Sequence, residues 1–119
     1  MTVQVKSVVS SRSLLGSEVS NDTGETLGRI EDFVIDLSRG RVAYAVLSFS
    51  QFLGLSHKFF AVPVAALELS YTNRHFILNV EKEKLKEAPG FDRHDWPEEA
   101  DSEWLSEVYR YYGYGPLTG

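Results

Sequence analysis

The chain has no cysteine, and that absence removes disulfides, thiolate nucleophiles and thiolate metal sites together. It fits a reducing compartment, so a cytoplasmic location is the expectation. No stretch approaches the ~20 apolar residues needed to cross a bilayer as a helix. Met1 to Ser11 also lack the apolar core of a signal peptide, so neither a membrane span nor a targeting segment is expected. Glycine-rich phosphate loops and nucleophile elbows are missing. The three histidines, His57, His75 and His94, stand alone, with no second histidine or carboxylate at metal-binding spacing. Asp92, His94 and Asp95 offer oxygen and nitrogen donors for a hard cation, yet they match no calcium-binding loop. These absences exclude the common routes to catalysis, and neither a cofactor nor a metal is expected.

Negative charge is in excess in only one half of the chain. Residues 1–60 balance six Lys or Arg against six Asp or Glu, whereas residues 61–119 set six against eleven and supply the whole net charge of −5. Asp92, Asp95, Glu98, Glu99, Asp101, Glu103 and Glu107 there face only Arg93 and Arg110. Such a surface repels phosphate backbones, so direct binding to nucleic acid or anionic lipid is not expected. A solvated, solubilising acidic face is the plain account of it.

What is present is a series of short apolar runs punctuated by turn signals. With 119 residues the chain fits one domain that buries roughly two-thirds of its unfolded surface. Residues 1–12 lack a period and read as a flexible lead-in to a domain over residues 13–80, with residues 81–119 as a helical extension. Glu18 to Ser20 reads as a short strand, and Asn21-Asp22-Thr23-Gly24 as a turn in which Gly24 takes a positive φ without steric cost. In the next strand Phe33, Ile35 and Leu37 share one face by the two-residue period while Ile30 falls out of phase. A bulge near Glu31-Asp32 restores the phase and bends the strand, as closing a small barrel requires.

After the turn at Ser38-Arg39-Gly40, the period sends Val42, Tyr44 and Val46 one way and Ala43, Ala45, Leu47 and Phe49 the other. Neither face is polar, so both must be covered. The C-terminal segment and a second copy of the chain are the two candidates for the outer cover. Ser50 to Lys58 reads as a loop and Phe59 to Pro63 as a strand ended by the proline. Leu67 to Ser70 and Phe76 to Val80 read as a hairpin, with Phe76, Leu78 and Val80 facing inward. Glu81 to Glu87 then reads as a short helix stopped by Pro89-Gly90, and Phe91 to Ala100 as a linker. A last helix runs from about Asp101 to Tyr112, with Gly113 in the left-handed terminal position. Trp104, Leu105, Val108, Tyr111 and Tyr112 form its apolar stripe.

The run Gly24-Glu25-Thr26-Leu27-Gly28-Arg29-Ile30-Glu31-Asp32 carries a specific resemblance. It continues in Val34-Ile35-Asp36, Gly40 to Val46, Phe52-Leu53-Gly54 and Phe60-Ala61-Val62-Pro63. Over about Leu14 to Val80 the chain resembles the PRC-barrel family, named from the cytoplasmic domain of the photosynthetic reaction centre H subunit and shared with a ribosomal RNA maturation factor. Its tail, with Asp95-Trp96-Pro97 and Trp104 through Gly113, resembles the free-standing bacterial members. The resemblance implies a mainly β fold of about six short antiparallel strands in a partly open barrel, with a C-terminal helical extension. It also implies a non-enzymatic interaction or assembly module. Ser50-Gln51 and Ser56-His57 stand where many members carry glycines, so that loop is less free to adopt positive φ. Many subunit-type members also have a membrane helix, which is absent here.

Three functional readings follow. The first is a protein-binding module acting as a homodimer through Tyr44, Phe52, Leu53, Leu55, Trp104, Tyr109, Tyr111 and Tyr112. The loop residues Phe52, Leu53 and Leu55 either plug the barrel end or form a contact patch; the helix aromatics are either core or contact. The second, by analogy with the maturation factor, is an adaptor in ribosome or RNA maturation acting through protein contacts. The third is an aspartic-type hydrolase, because Asp22-Thr23-Gly24 matches that catalytic triplet. The flanking Asn21 and Glu25 describe a wet turn, where two carboxylates could not share a proton in a dry site.

Overall fold

The computed structural model describes residues 9–49, 58–70, 75–92 and 102–114. Seven strands form one sheet: β1 (Glu18–Ser20), β2 (Thr26–Asp36), β3 (Arg41–Phe49), β4 (Lys58–Val62), β5 (Leu67–Ser70), β6 (His75–Leu78) and β7 (Gly90–Asp92). Their order is β5-β6-β1-β2-β3-β4-β7, so β5 and β7 end an open sheet. Among the described residues three α-helices accompany it, a single turn α1 (Ser11–Leu14), α2 (Lys82–Lys86) and α3 (Ser102–Tyr111), with a 3-10 turn at Val64–Ala66. Among the described residues no helix is long and apolar enough to cross a membrane. The chain is thus mainly β, a partly open small barrel with a C-terminal helix.

The long β2 and β3 strands are the centre of the sheet, and two bulges shape them. Ile30 pairs with Leu47 and Asp32 with Val46, so Glu31 is the extra residue on β2. Val34 pairs with Tyr44 and Ile35 with Val42, so Ala43 is the extra residue on β3. The first bulge is the one the phase of Ile30 demands. The second overturns one expectation: Ala43 joins Tyr44 and Val46 in the outer cluster instead of facing inward with Ala45 and Leu47. An inserted residue shifts the alternation locally, and periodicity alone does not reveal it.

Two apolar clusters result. The inner one fills the barrel with Val19, Leu27, Ile30, Ala45, Leu47, Phe60, Val62, Phe76 and Leu78, and is capped by Leu85 of α2 and by Ala88. The outer one sets Ala43, Tyr44, Val46 and Ala61 against Leu105 and Val108 of α3. Leu14 packs on the inner cluster, so the helical turn α1 lies against the core.

The turn after β1 is wired more deeply than its composition implies. Asn21 is 5% exposed. Its Oδ1 accepts from the Thr23 N–H at 3.2 Å, the Thr23 hydroxyl at 2.8 Å and the Glu25 N–H at 2.9 Å. Its Nδ2 donates to Glu25 Oε1 at 2.7 Å and to the Val80 carbonyl at 3.3 Å, and Gly24 takes φ +91°. The bond to Val80 fastens the β1–β2 turn to the chain leaving β6. That helps hold the parallel pairing Val19↔Phe76 and Ser20↔Ile77. This parallel pair departs from the all-antiparallel expectation.

The seventh strand also goes beyond the sequence reading, which places Phe91 in a linker. β7 pairs with β4 through Lys58↔Asp92, Phe59↔Phe91 and Phe60↔Gly90. A Cβ on Gly90 would sit 2.6 Å from the Phe59 carbonyl oxygen and 3.0 Å from Phe60 Cδ1. Glycine there does more than stop α2, because it lets the two strands meet. Gly90→Ala should therefore destabilise the fold by about 1–3 kcal/mol through backbone displacement, measured as a lowered urea midpoint at unchanged slope.

Candidate interaction surface

α3 is built from its ends. Gly113 takes φ +88°, its N–H bonds the Arg110 carbonyl at 3.0 Å, and the Tyr114 N–H bonds the Tyr109 carbonyl at 2.9 Å. These two bonds form a Schellman cap, which satisfies carbonyls the helix would leave free. One face of the helix then buries Leu105 and Val108, 6% and 0% exposed, against β3 and β4.

The aromatic side chains named as contact candidates lie mostly along this seam within the chain. Tyr44 is 4% exposed under α3. Trp104 is half-buried and meets Tyr44 edge-on at 5.5 Å and Phe91 at 6.3 Å. Phe91 in turn meets Phe59 at 6.1 Å. This row of edge-to-face rings adds about 0.5–1.5 kcal/mol per pair beyond simple burial. Phe52, Leu53 and Leu55 lie outside the described residues.

Tyrosine hydroxyls pin the helix region to three other elements. Tyr109 donates to the Ala43 carbonyl at 2.8 Å, Tyr111 to the Lys84 carbonyl of α2, and Tyr114 to the Ala65 carbonyl at 3.0 Å. The Ala43 bond answers the bulge on β3, because a bulged residue loses its place in the ladder. Burial pushes the phenol of Tyr109 up, against the pull of nearby Arg41. Burial, with Tyr111 adjacent, pushes Tyr112 much further up. Tyr112 packs on the inner cluster, and its hydroxyl is buried without a partner among the described residues. α3 thus touches both clusters.

Among the described residues the chemistry-bearing candidates do not assemble. Asp22 is exposed, and the Asn79 amide, oriented to satisfy its bonds, donates to its carboxylate at 3.0 and 3.1 Å. Asp22, Glu25, Glu81 and Glu83 border an open cleft of about 530 Å³. Among the described residues no group of three His, Asp or Glu is placed to hold a metal. His75 is half-buried at the start of β6; His57, His94 and Asp95 lie outside the described residues.

Among the described residues Val9, Leu15, Val64 and Tyr114 are exposed, and the two most exposed large apolar side chains stand together at the tip of the β2–β3 hairpin. Ile35 is 51% and Leu37 88% exposed, although the two-residue period groups them with Phe33, which packs against the inner cluster. The end of the sheet explains the difference, because Asp36↔Arg41 is the last pair of the ladder and Leu37 lies beyond it. The signal in the sequence is the adjoining Ser38-Arg39-Gly40 turn, at which the chain reverses and the ladder ends.

Asp36 makes that tip rigid. Its Oδ1 accepts from the Ser38 N–H at 3.1 Å, the Ser38 hydroxyl at 2.8 Å and the Arg39 N–H at 3.2 Å. Its Oδ2 accepts from Arg39 Nη1 at 2.9 Å. The Arg39 guanidinium first, and then the Ser38 hydroxyl, lower its carboxyl to about 2. A second apolar feature is a groove of about 420 Å³ bordered by Glu87, Pro89, Gly90, Trp104, Glu107, Arg110 and Tyr111.

Two outcomes follow. A depressed carboxyl pKa favours folding above the unfolded value near 4 and loses that contribution as pH falls toward 2. The Asp36 carboxyl resonance should titrate with its midpoint near 2, and Asp36→Asn should flatten the acid limb of stability between about pH 4 and 2. Tyr109→Phe should cost about 1 kcal/mol by orphaning the Ala43 carbonyl, read from chemical denaturation.

No curated protein matches the chain. The PRC-barrel domain family model matches residues 6–85, which spans β1 to β6 and ends within α2, so β7 and α3 lie beyond it. With the open barrel, its bulged central hairpin and this match over more than half of the sequence, the chain belongs to the PRC-barrel domain family.

Proposed function

We propose that this protein is a non-enzymatic, cytoplasmic protein-interaction module that works as a homodimer. The observation that carries the reading is the pair Ile35 and Leu37, large apolar side chains held in water on a turn fixed by Asp36. Exposed apolar groups on an ordered element mark contacts more often than they mark accidents of folding when they stand together. The family supports an assembly role. The packed barrel interior supports it as well, since its space is filled by aliphatic and aromatic side chains. The acidic second half of the chain directs recognition toward proteins and away from nucleic acid.

The outer face of β3 is not the dimer surface in this reading, because α3 of the same chain covers it. Light scattering at tens of micromolar should give twice the mass of one chain. A strict monomer would remove the homodimer, and co-purification with ribosomal proteins would move the reading to the maturation adaptor.

A further inference from the structure

We infer that the hairpin tip around Leu37 docks into the groove between α3 and the α2–β7 connection of a second copy of this chain, an inference that rests on the homodimer reading above. The tip offers an apolar anchor that is already ordered, so its presentation requires little further loss of conformational freedom. The groove offers the Pro89, Trp104 and Tyr111 side chains as an apolar floor, with Glu87, Glu107 and Arg110 beside them, so its border carries an excess of one negative charge. Charge matches across the two. Arg39 and Arg41 flank the tip, and Arg39 spends only Nη1 on Asp36 while its side chain stays 39% exposed. Arginines opposite carboxylates at a rim set orientation and partner choice.

Geometry makes the contact intermolecular. The Tyr109 flank of α3 lies against Ala43, near the start of β3 and hence near the chain's own hairpin tip. Trp104, Glu107 and Tyr111 lie on the opposite flank, against Pro89 and Gly90. Positions 104, 107 and 111 share a helix edge that Tyr109 does not. α3 therefore stands between the tip and the groove of one molecule, and a tip can fill only the groove of another. Two copies related by a two-fold axis make the contact twice and close a dimer.

Sedimentation velocity on the full chain at tens of micromolar tests this with two variants. Leu37→Asp changes a side chain that touches little of its own chain, and should raise the dimer dissociation constant at least about tenfold without moving the melting temperature of dilute protein. Glu107→Arg should weaken the dimer from the groove side. Mixing the two variants should recover association, because an intact tip then meets an intact groove. If Leu37→Asp leaves the dimer as tight as the unaltered chain, the tip-to-groove contact is wrong and the homodimer stands on another surface. If the unaltered chain is monomeric at these concentrations, both readings fall.

Discussion

The structure depends on covering a strand that is apolar on both sides. β3 sends Ala45 and Leu47 into the barrel and Tyr44 and Val46 to its outside. Fully burying one large apolar side chain is worth roughly 1.5–3 kcal/mol, so an uncovered outer face would cost a sizeable part of a small domain's stability. α3 supplies the cover. A helix of ten residues is itself marginal in water, and it persists because Leu105 and Val108 have that face to bury against. Strand and helix are each the reason the other holds. Tyr111 and Tyr112 extend the dependence by packing on the inner cluster, so loosening the helix disturbs both cores.

The two bulges connect barrel curvature to helix docking. Glu31 adds a residue to β2 and Ala43 adds one to β3, and each insertion bends the hairpin and strengthens its twist. The bulge at Ala43 also turns a small residue outward beneath α3 and leaves a carbonyl for the Tyr109 hydroxyl. A regular ladder would satisfy that carbonyl within the sheet and leave the tyrosine without a partner. The irregularity thus serves as an attachment point.

Much of this was legible in the residues, and the parts that were not share a physical cause. Gly24, the phase break at Ile30, the two-sided pattern of β3 and the stripe on α3 are local signals, written within a few positions of what they specify. The parallel pairing of β1 with β6, the strand at Gly90–Asp92 and the bulge at Ala43 are decided by partners far away in the chain. Gly90 shows the difference well. Beside Pro89 it reads as a helix stop, yet its decisive property is the 2.6 Å approach to the Phe59 carbonyl, which no local pattern encodes. The candidate aromatics followed the same rule: composition identified sticky side chains, and only tertiary packing showed Tyr44, Trp104 and Tyr109 turned against one another's elements within the chain. Leu37, by contrast, shares a face with Phe33 by the two-residue period, yet a strand period continues on paper after the sheet has ended in space.

The distribution of apolar surface bears on how such a protein binds. Among the described residues two large apolar faces are used internally, one as barrel core and one under α3, and Ile35 and Leu37 are the most exposed large apolar side chains. A single small anchor gives a weak contact, because association carries a fixed cost in lost translational and rotational freedom. Reciprocity changes that balance. In the proposed dimer, once the first tip-to-groove contact forms, the second is intramolecular and closes at the high effective concentration set by the rigid scaffold. The rigidity provided by Asp36 is then essential, since a flexible tip would lose the advantage that the paired geometry confers. In the proposed dimer a stiff hairpin, a helix held between tip and groove, and arginines brought opposite carboxylates would together let a modest patch specify one partner.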